Sequence, residues 1–244
     1  MTVIYEDNHI IIVNKTCSEI VQGDKTGDVP LSDIVKDFIK NKYQKPGNVY
    51  LGVAHRIDRP TSGIVVFAKT SKALSRLNDM FKSHELVKKT YWAIVPNVAI
   101  KSTSIQLPPI GSQTIRLENY MFRNEKQNKT YICNAEHEGS KLAKMSFRRI
   151  ATGERYSLLE IDLETGRHHQ IRCQLAHIGF PIKGDLKYGA KRSNPDGGIC
   201  LHARAIEFTH PVSQKLIRVE APVPNDKLWK ELESEASKSE LNEL

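Results

Sequence analysis

His55-Arg56-Ile57-Asp58-Arg59-Pro60-Thr61-Ser62-Gly63, running directly into Ile64-Val65-Val66-Phe67-Ala68, is the stretch on which the reading of this chain turns. One carboxylate, Asp58, lies between Arg56 and Arg59. Pro60 restricts the backbone of Arg59, and Gly63 opens conformations that other residues avoid. The apolar run that follows reads as a core strand, closed by Lys69. The sequence therefore puts a lone acid, flanked by cations, on a loop that feeds a core strand. Such loops concentrate binding and catalytic groups. A nearby Arg keeps a carboxylate ionised, which suits a nucleophile at neutral pH. On these nine residues alone, a turn-capping Asp58 is the commoner role.

Outward from this loop, strand and helix patterns alternate without internal repeats. Residues 10–13 are all apolar, a buried strand. Leu31, Ile34, Val35, Phe38 and Ile39 share one helical face. Ser71 stands as an N-cap, and Ala73, Leu74, Leu77, Met80 and Phe81 stripe a helix to about His84. Residues 90–95 and 155–163 read as strands. Arg167 to Ile178 reads as a helix stopped by Gly179, which puts His168 and Arg172 four apart on one face. Strands over 199–208 and 215–219 complete the pattern. The fold class expected is α+β, or mixed α/β, with residues 1–225 as the main domain and 226–244 as an acidic C-terminal helix or tail.

Composition narrows the function classes. The 244 residues carry a formal net charge of +8. The last nineteen hold six acids against three Lys, so residues 1–225 carry +11. A basic body fits a polyanion such as RNA, although many proteins are mildly basic without one. Cys17, Cys133, Cys173 and Cys200 are scattered, with no CxxC pair and no zinc-ligand spacing, and read as thiols in a reducing compartment. The N-terminus lacks a secretory pattern, and no apolar run approaches the roughly 20 residues that span a bilayer. A soluble, cytoplasmic protein with no membrane partner is expected.

The nonapeptide resembles the signature of the RluA-type pseudouridine synthases, His-Arg-Leu-Asp-x-x-Thr-Ser-Gly, with Ile57 in place of Leu. Other elements resemble the same family in the same order. They are Ile4 to Lys15, then Thr90-Tyr91-Trp92-Ala93 after Lys88-Lys89, then Thr165-Gly166-Arg167-His168-His169-Gln170-Ile171-Arg172. Gly184-Asp185, Tyr188-Gly189, Leu201-His202-Ala203 and His210-Pro211 follow. Dispersed motifs in order are more specific than any one of them. Gln174 and Phe180 depart from the His common there, and residues 100–141 match poorly, which is where substrate identity is expected to reside. The resemblance begins at residue 3, so a stand-alone catalytic domain without the family's S4 module is expected.

The resemblance implies the pseudouridine synthase fold, a largely antiparallel mixed sheet with flanking helices and a central RNA-binding cleft. It implies an isomerase that converts uridine to pseudouridine in structured RNA, with 23S ribosomal RNA favoured and transfer RNA next. Neither metal nor organic cofactor is implied, and a monomer is expected. By resemblance Asp58 is the nucleophile, with attack at C1′, attack at C6 and a glycal route all open. Arg172 would pair with Asp58, and Tyr91 would stack on the uracil and take a proton. Arg56 would fill the gap left by the flipped base, with His55 and Thr61 supporting the loop. Arg167, His168 and Leu201 are carried over as further contacts on the RNA side. Lys69, Lys88, Lys89, Arg148, Arg149, Lys191 and Arg192 are candidate phosphate contacts. A catalytically silent RNA-binding protein, and a metal-dependent hydrolase using His168, His169 and His177, are the alternatives. Docking on ribosomal protein through the acidic tail could accompany catalysis.

Overall fold

The computed structural model describes residues 1–24, 27–83, 86–100, 105–111 and 114–241. The expected helix end at His84, residues 101–104 and 112–113 of the poorly matched segment, and the last three residues of the tail lie outside these. In chain order the elements are β1 (Thr2–Glu6), β2 (Ile10–Lys15), α1 (Leu31–Lys42), β3 (Gly52–Val53), β4 (Ser62–Ala68) and α2 (Ser71–Ser83). Then come β5 (Val87–Pro96), β6 (Ile115–Asn124), β7 (Lys129–Cys133), β8 (Lys141–Thr152) and β9 (Tyr156–Leu163). The chain ends with α3 (Gln170–His177), a 3-10 turn at Leu186–Tyr188, β10 (Leu201–Thr209), β11 (Leu216–Glu220) and α4 (Lys227–Leu241).

The chain packs as two compact units, Met1–Lys88 with Ala203–Pro222, and Lys89–His202 with Val223–Leu244. In the first unit the strand order is β1-β2-β4-β10, with β11 on β10 and β3 alongside β4. The continuous apolar runs 10–13 and 64–68 are buried throughout, as strands flanked by neighbours on both sides require. The stripe Leu31, Val35 and Ile39 seats α1 on Ile11, Val13, Val65 and Phe67. Thr70, rather than Ser71, caps α2, because its hydroxyl accepts the Ala73 N–H at 3.2 Å.

In the second unit the order is β5-β9-β8-β6-β7, with each of these neighbouring pairs antiparallel. Apolar side chains of β5, β6, β8 and β9 form one core with Ile171 and Leu175 of α3 and with Trp229, Leu232 and Ala236 of α4. The acidic end thus supplies a helix with a buried stripe, capped by the Asp226 carboxylate on the Leu228 N–H. Packing divides the chain after Lys88 and within β10.

No helix among the described residues is long and apolar enough to cross a membrane. Among the described residues no cysteine forms a disulfide.

Candidate active site

In the first unit, the Asp58 loop hangs between β3 and β4 and is held by its backbone. The Thr61 N–H donates to the Asp58 carbonyl at 3.0 Å, closing a turn with Arg59 and Pro60 at its centre. The Ser18 N–H and the Lys15 ammonium both donate to the Arg59 carbonyl at 3.0 Å. Lys15 ends the apolar strand β2, directly opposite Gly63, and is fully buried. Its other two donors go to the carbonyls of Thr16 and Glu19. Burial pulls this ammonium down to about 8, against the opposing influence of Glu19, Cys17 and Asp58. A buried charge is tolerated only when its donors are satisfied, and here the loop's own backbone satisfies them. The sequence reading used Lys15 only as part of a strand motif. A Lys closing an all-apolar run is the signal that marks it.

Asp58 is half-buried, Arg56 and Arg59 are exposed, and the Arg59 guanidinium reaches Asp28 at 2.7 Å. His55 is a loop support: its Nε2 accepts the Val66 N–H at 3.0 Å and its ring stacks on Phe81. Accepting at Nε2 places the proton of the neutral ring on Nδ1. Thr61 is buried, and its hydroxyl has no hydrogen-bond partner among the described residues, so its backbone does the supporting.

Gly63, where the loop enters β4, has φ +112°, and a Cβ there would lie 2.4 Å from the Ala203 carbonyl oxygen. Both the dihedral and the clash are with backbone and cannot be relieved by a rotamer. Gly63→Ala is expected to cost at least about 2 kcal/mol, the left-handed penalty alone being roughly 1–2. Thermal unfolding of the variant checks this, and an unchanged Tm would contradict it.

In the second unit, residues 164–169 form a polar turn before α3. The helix starts at Gln170 rather than Arg167, because His169 adopts the left-handed conformation at φ 52°. His168 therefore lies outside the helix and does not share a helical face with Arg172. The Thr130 hydroxyl donates to the His168 carbonyl and lies 2.8 Å from its Nδ1, so that nitrogen is the donor. Gln170 accepts from the Thr165 hydroxyl and the Arg167 N–H, and the Arg167 Nε donates to the Leu142 carbonyl.

His169 stacks on His168 and lies 3.0 Å from the Tyr188 hydroxyl. Burial first, then the charges of Arg172 and its neighbours, push the His169 imidazole down to about 2. Unfolded chains take up a proton there below about pH 6.5, so folded and unfolded states differ by one proton from about pH 6.5 to 2. The folded pKa of this base is depressed. Its neutral form therefore favours folding above pH 6.5, and that contribution is lost as pH falls, by about 1.4 kcal/mol per unit. His169→Asn, which tolerates the left-handed conformation, is expected to flatten the acid side of the stability profile. Denaturant titrations at pH 7 and pH 5 measure it, and parallel losses in both proteins would contradict the assignment.

Arg172 sits in the first turn of α3 and is 5% exposed. Its Nε and Nη2 donate to the two carboxylate oxygens of Asp185 at 2.7 and 2.9 Å, and its guanidinium stacks 5.2 Å over the Tyr188 ring. This is a buried fork-to-fork pair, and Asp185 is its acceptor. The sequence reading placed Arg172 by a motif and noted Gly184-Asp185 without giving it a role. An acid close to a buried Arg is the missing complement. Tyr91 is half-buried on β5, paired with Ile161 across the ladder. Leu201 is buried in the apolar core. Gln174 is buried against β6, its amide donating to Asn119, and Phe180 is buried too, so both departures from the motif pack the interior.

The expected phosphate contacts separate by environment. Lys69 is held by Glu6 and Arg148 by Glu160. Lys89 is half-buried beside Gly166, and desolvation lowers its ammonium. Lys191 and Arg192 are exposed. Among the described residues no group of three or more His, Cys, Asp or Glu is placed to hold a metal ion.

A model of the family described as RNA pseudouridylate synthase matches residues 9–177, which contain the Asp58 loop, Tyr91 and Arg172. The tRNA pseudouridine synthase C of Vibrio cholerae is 29% identical over 96% of this chain and 95% of its own length. The ribosomal large subunit pseudouridine synthase D of Xylella fastidiosa is 29% identical over 93% of this chain and 67% of its own. The solved structure of human RNA pseudouridylate synthase domain containing 4 shares the fold, with a TM-score of 0.73, 18% identity and coverage of 95% and 93%.

Proposed function

The chain belongs to the RNA pseudouridylate synthase family, and from that premise we propose that it isomerises uridine in structured RNA with Asp58 as nucleophile. The observation that carries this is the family match across the Asp58 loop. The loop is suited to the role, since Lys15, Ser18 and Thr61 pin its backbone and leave the Asp58 side chain half-buried.

The reaction breaks the N1–C1′ bond, turns the released uracil, and joins C5 to C1′, with the C5 proton lost at the end. Nothing is oxidised and no group is gained. In the proposed sequence the target base is extruded, at a cost of a few kcal/mol, and Arg56 takes its place in the stack. Tyr91 stacks on the base and serves as the proton acceptor. Arg172, held by Asp185, is assigned to orient Asp58, as the family resemblance implies. Three mechanistic variants, attack at C1′, attack at C6 and a glycal route, all place the reaction at Asp58.

For the substrate, large-subunit ribosomal RNA is the first reading. Transfer RNA is the second, and relatives named for each class of RNA are both 29% identical to this chain. Carbodiimide mapping of pseudouridine in both RNA classes, from cells with and without this gene, tests the reading. Loss of one or more defined sites on deletion supports it. An unchanged pattern in both classes overturns it.

A further inference from the structure

The second unit holds a basic groove of about 910 Å³ that the proposed chemistry does not use. Its walls are the end of β5, the turn between β8 and β9, and the segments around Lys183 and Lys191. We propose that this groove binds the phosphate backbone of the substrate RNA outside the target nucleotide. The inference rests on the RNA-modifying reading above and adds a second point of attachment to it.

The charge balance carries the argument. Arg155, Lys183, Lys191 and Arg192 line the groove against a single acid, Glu154. Glu154 meets the Arg155 Nε at 3.5 Å with both side chains at least 80% exposed, a contact of little strength that a phosphate displaces. Lys191 and Arg192 have no ion-pair or hydrogen-bond partner among the described residues, and both project from an exposed segment. Four cations facing one acid in a concave surface repel one another and attract a polyanion.

The walls are tied together before any ligand arrives. The Asn97 N–H donates to the Arg155 carbonyl, and its side-chain amide donates to Gly153, which fixes the β8–β9 turn against the end of β5. The Lys183 N–H donates to Ile94, and its ammonium is held by the Asn194 side chain at 2.7 Å. Gly184 closes the floor, since a Cβ there would fall 2.6 Å from Asn194. The volume lies at the top of the range for enclosed ligand sites, roughly 300–1,000 Å³, and the apolar lining from Val98, Ile100 and Tyr156 offers surface for bases between phosphates.

Position gives the groove a purpose. Gly184 in its floor immediately precedes Asp185, the carboxylate that grips Arg172. RNA seated in the groove is thus registered one residue from the pair assigned to orient the nucleophile. A strand held there fixes which nucleotide reaches the site, and phosphate contacts of this kind set register without reading sequence.

The test is the triple variant Arg155→Ala, Lys191→Ala, Arg192→Ala, which alters exposed side chains only. Its affinity for an unmodified transcript is measured by filter binding from 50 to 200 mM salt, beside wild type and Asp58→Asn. Loss of three phosphate contacts is expected to lower the slope of log K against log salt by about 2, at roughly 0.7 per contact, and the affinity about 100-fold near 0.1 M salt. The variant Arg155→Lys, Arg192→Lys is expected to keep the wild-type slope. Affinity within twofold of wild type, with an unchanged slope, overturns the groove assignment. The two readings separate cleanly: binding depends on the groove cations whether or not the transcript is isomerised, and turnover is scored on the wild-type protein alone.

Discussion

Asp58→Asn is expected to abolish turnover while leaving the fold and RNA affinity at wild-type levels. The substitution is isosteric and removes the charge that makes the side chain a nucleophile. Loss of a covalent nucleophile typically costs on the order of 10⁴-fold or more. The fold is spared because the loop is held through main-chain groups, the Asp58 carbonyl with Thr61 and the Arg59 carbonyl with Lys15 and Ser18. Single-turnover kinetics, filter binding and thermal unfolding of the one variant separate the three quantities. Activity within tenfold of wild type would place the nucleophile elsewhere, and a large fall in Tm would make the loop's side chain structural.

The second large effect is on stability. Asp185→Ala is expected to cost about 3–5 kcal/mol, because it strips a 5% exposed guanidinium of two charge-assisted hydrogen bonds. For a chain of this size, each kcal/mol corresponds to about 2–4 °C in Tm. Replacing both partners, Arg172→Met with Asp185→Leu, is expected to recover most of the stability, since buried ion pairs exchange for apolar pairs at little net cost. That double variant is expected to remain inactive, which separates the pair's two roles. Thermal unfolding and turnover of the single and double variants provide the measurement. A Tm for Asp185→Ala equal to wild type would mean that the pair does not hold α3 to the turn that follows it.

Much of the first unit was legible in the sequence because its signals are local. The runs 10–13 and 64–68 have strand length and no polar interruption, and Leu31, Val35 and Ile39 fall four apart. The strands β6 and β7 were not legible. Along β6 the inward positions are Ile115, Leu117, Asn119 and Met121, and the polar Asn119 among them, with Tyr120 and Phe122 on the other face, blurs the period-2 signal. The start of α3 was misplaced by three residues because a left-handed His169 breaks an otherwise helical pattern, and no side-chain periodicity reports a backbone dihedral. The tail read as a polar end because its acids outnumber the buried stripe of Trp229, Leu232 and Ala236.

For the proposed site, the motif pointed to Asp58, Tyr91 and Arg172 but not to the groups that hold the Asp58 loop and the Arg172 guanidinium. Lys15 lies 43 positions before Asp58, and its role depends on strand register placing it opposite Gly63. Asp185 lies 13 positions after Arg172. Both are charges buried by tertiary packing, and only a folded chain shows which charge satisfies which.

The central claim is that this chain isomerises uridine through Asp58. The most direct measurement is tritium release from RNA labelled at uridine C5, because C5 must lose its hydrogen when it joins C1′. Unmodified ribosomal and transfer RNA transcripts are assayed separately, in chelator, with wild type and Asp58→Asn side by side. Release by wild type from at least one transcript, and none by Asp58→Asn, is the expected result. Equal release by both proteins, or binding of RNA with no release from either transcript, would contradict it.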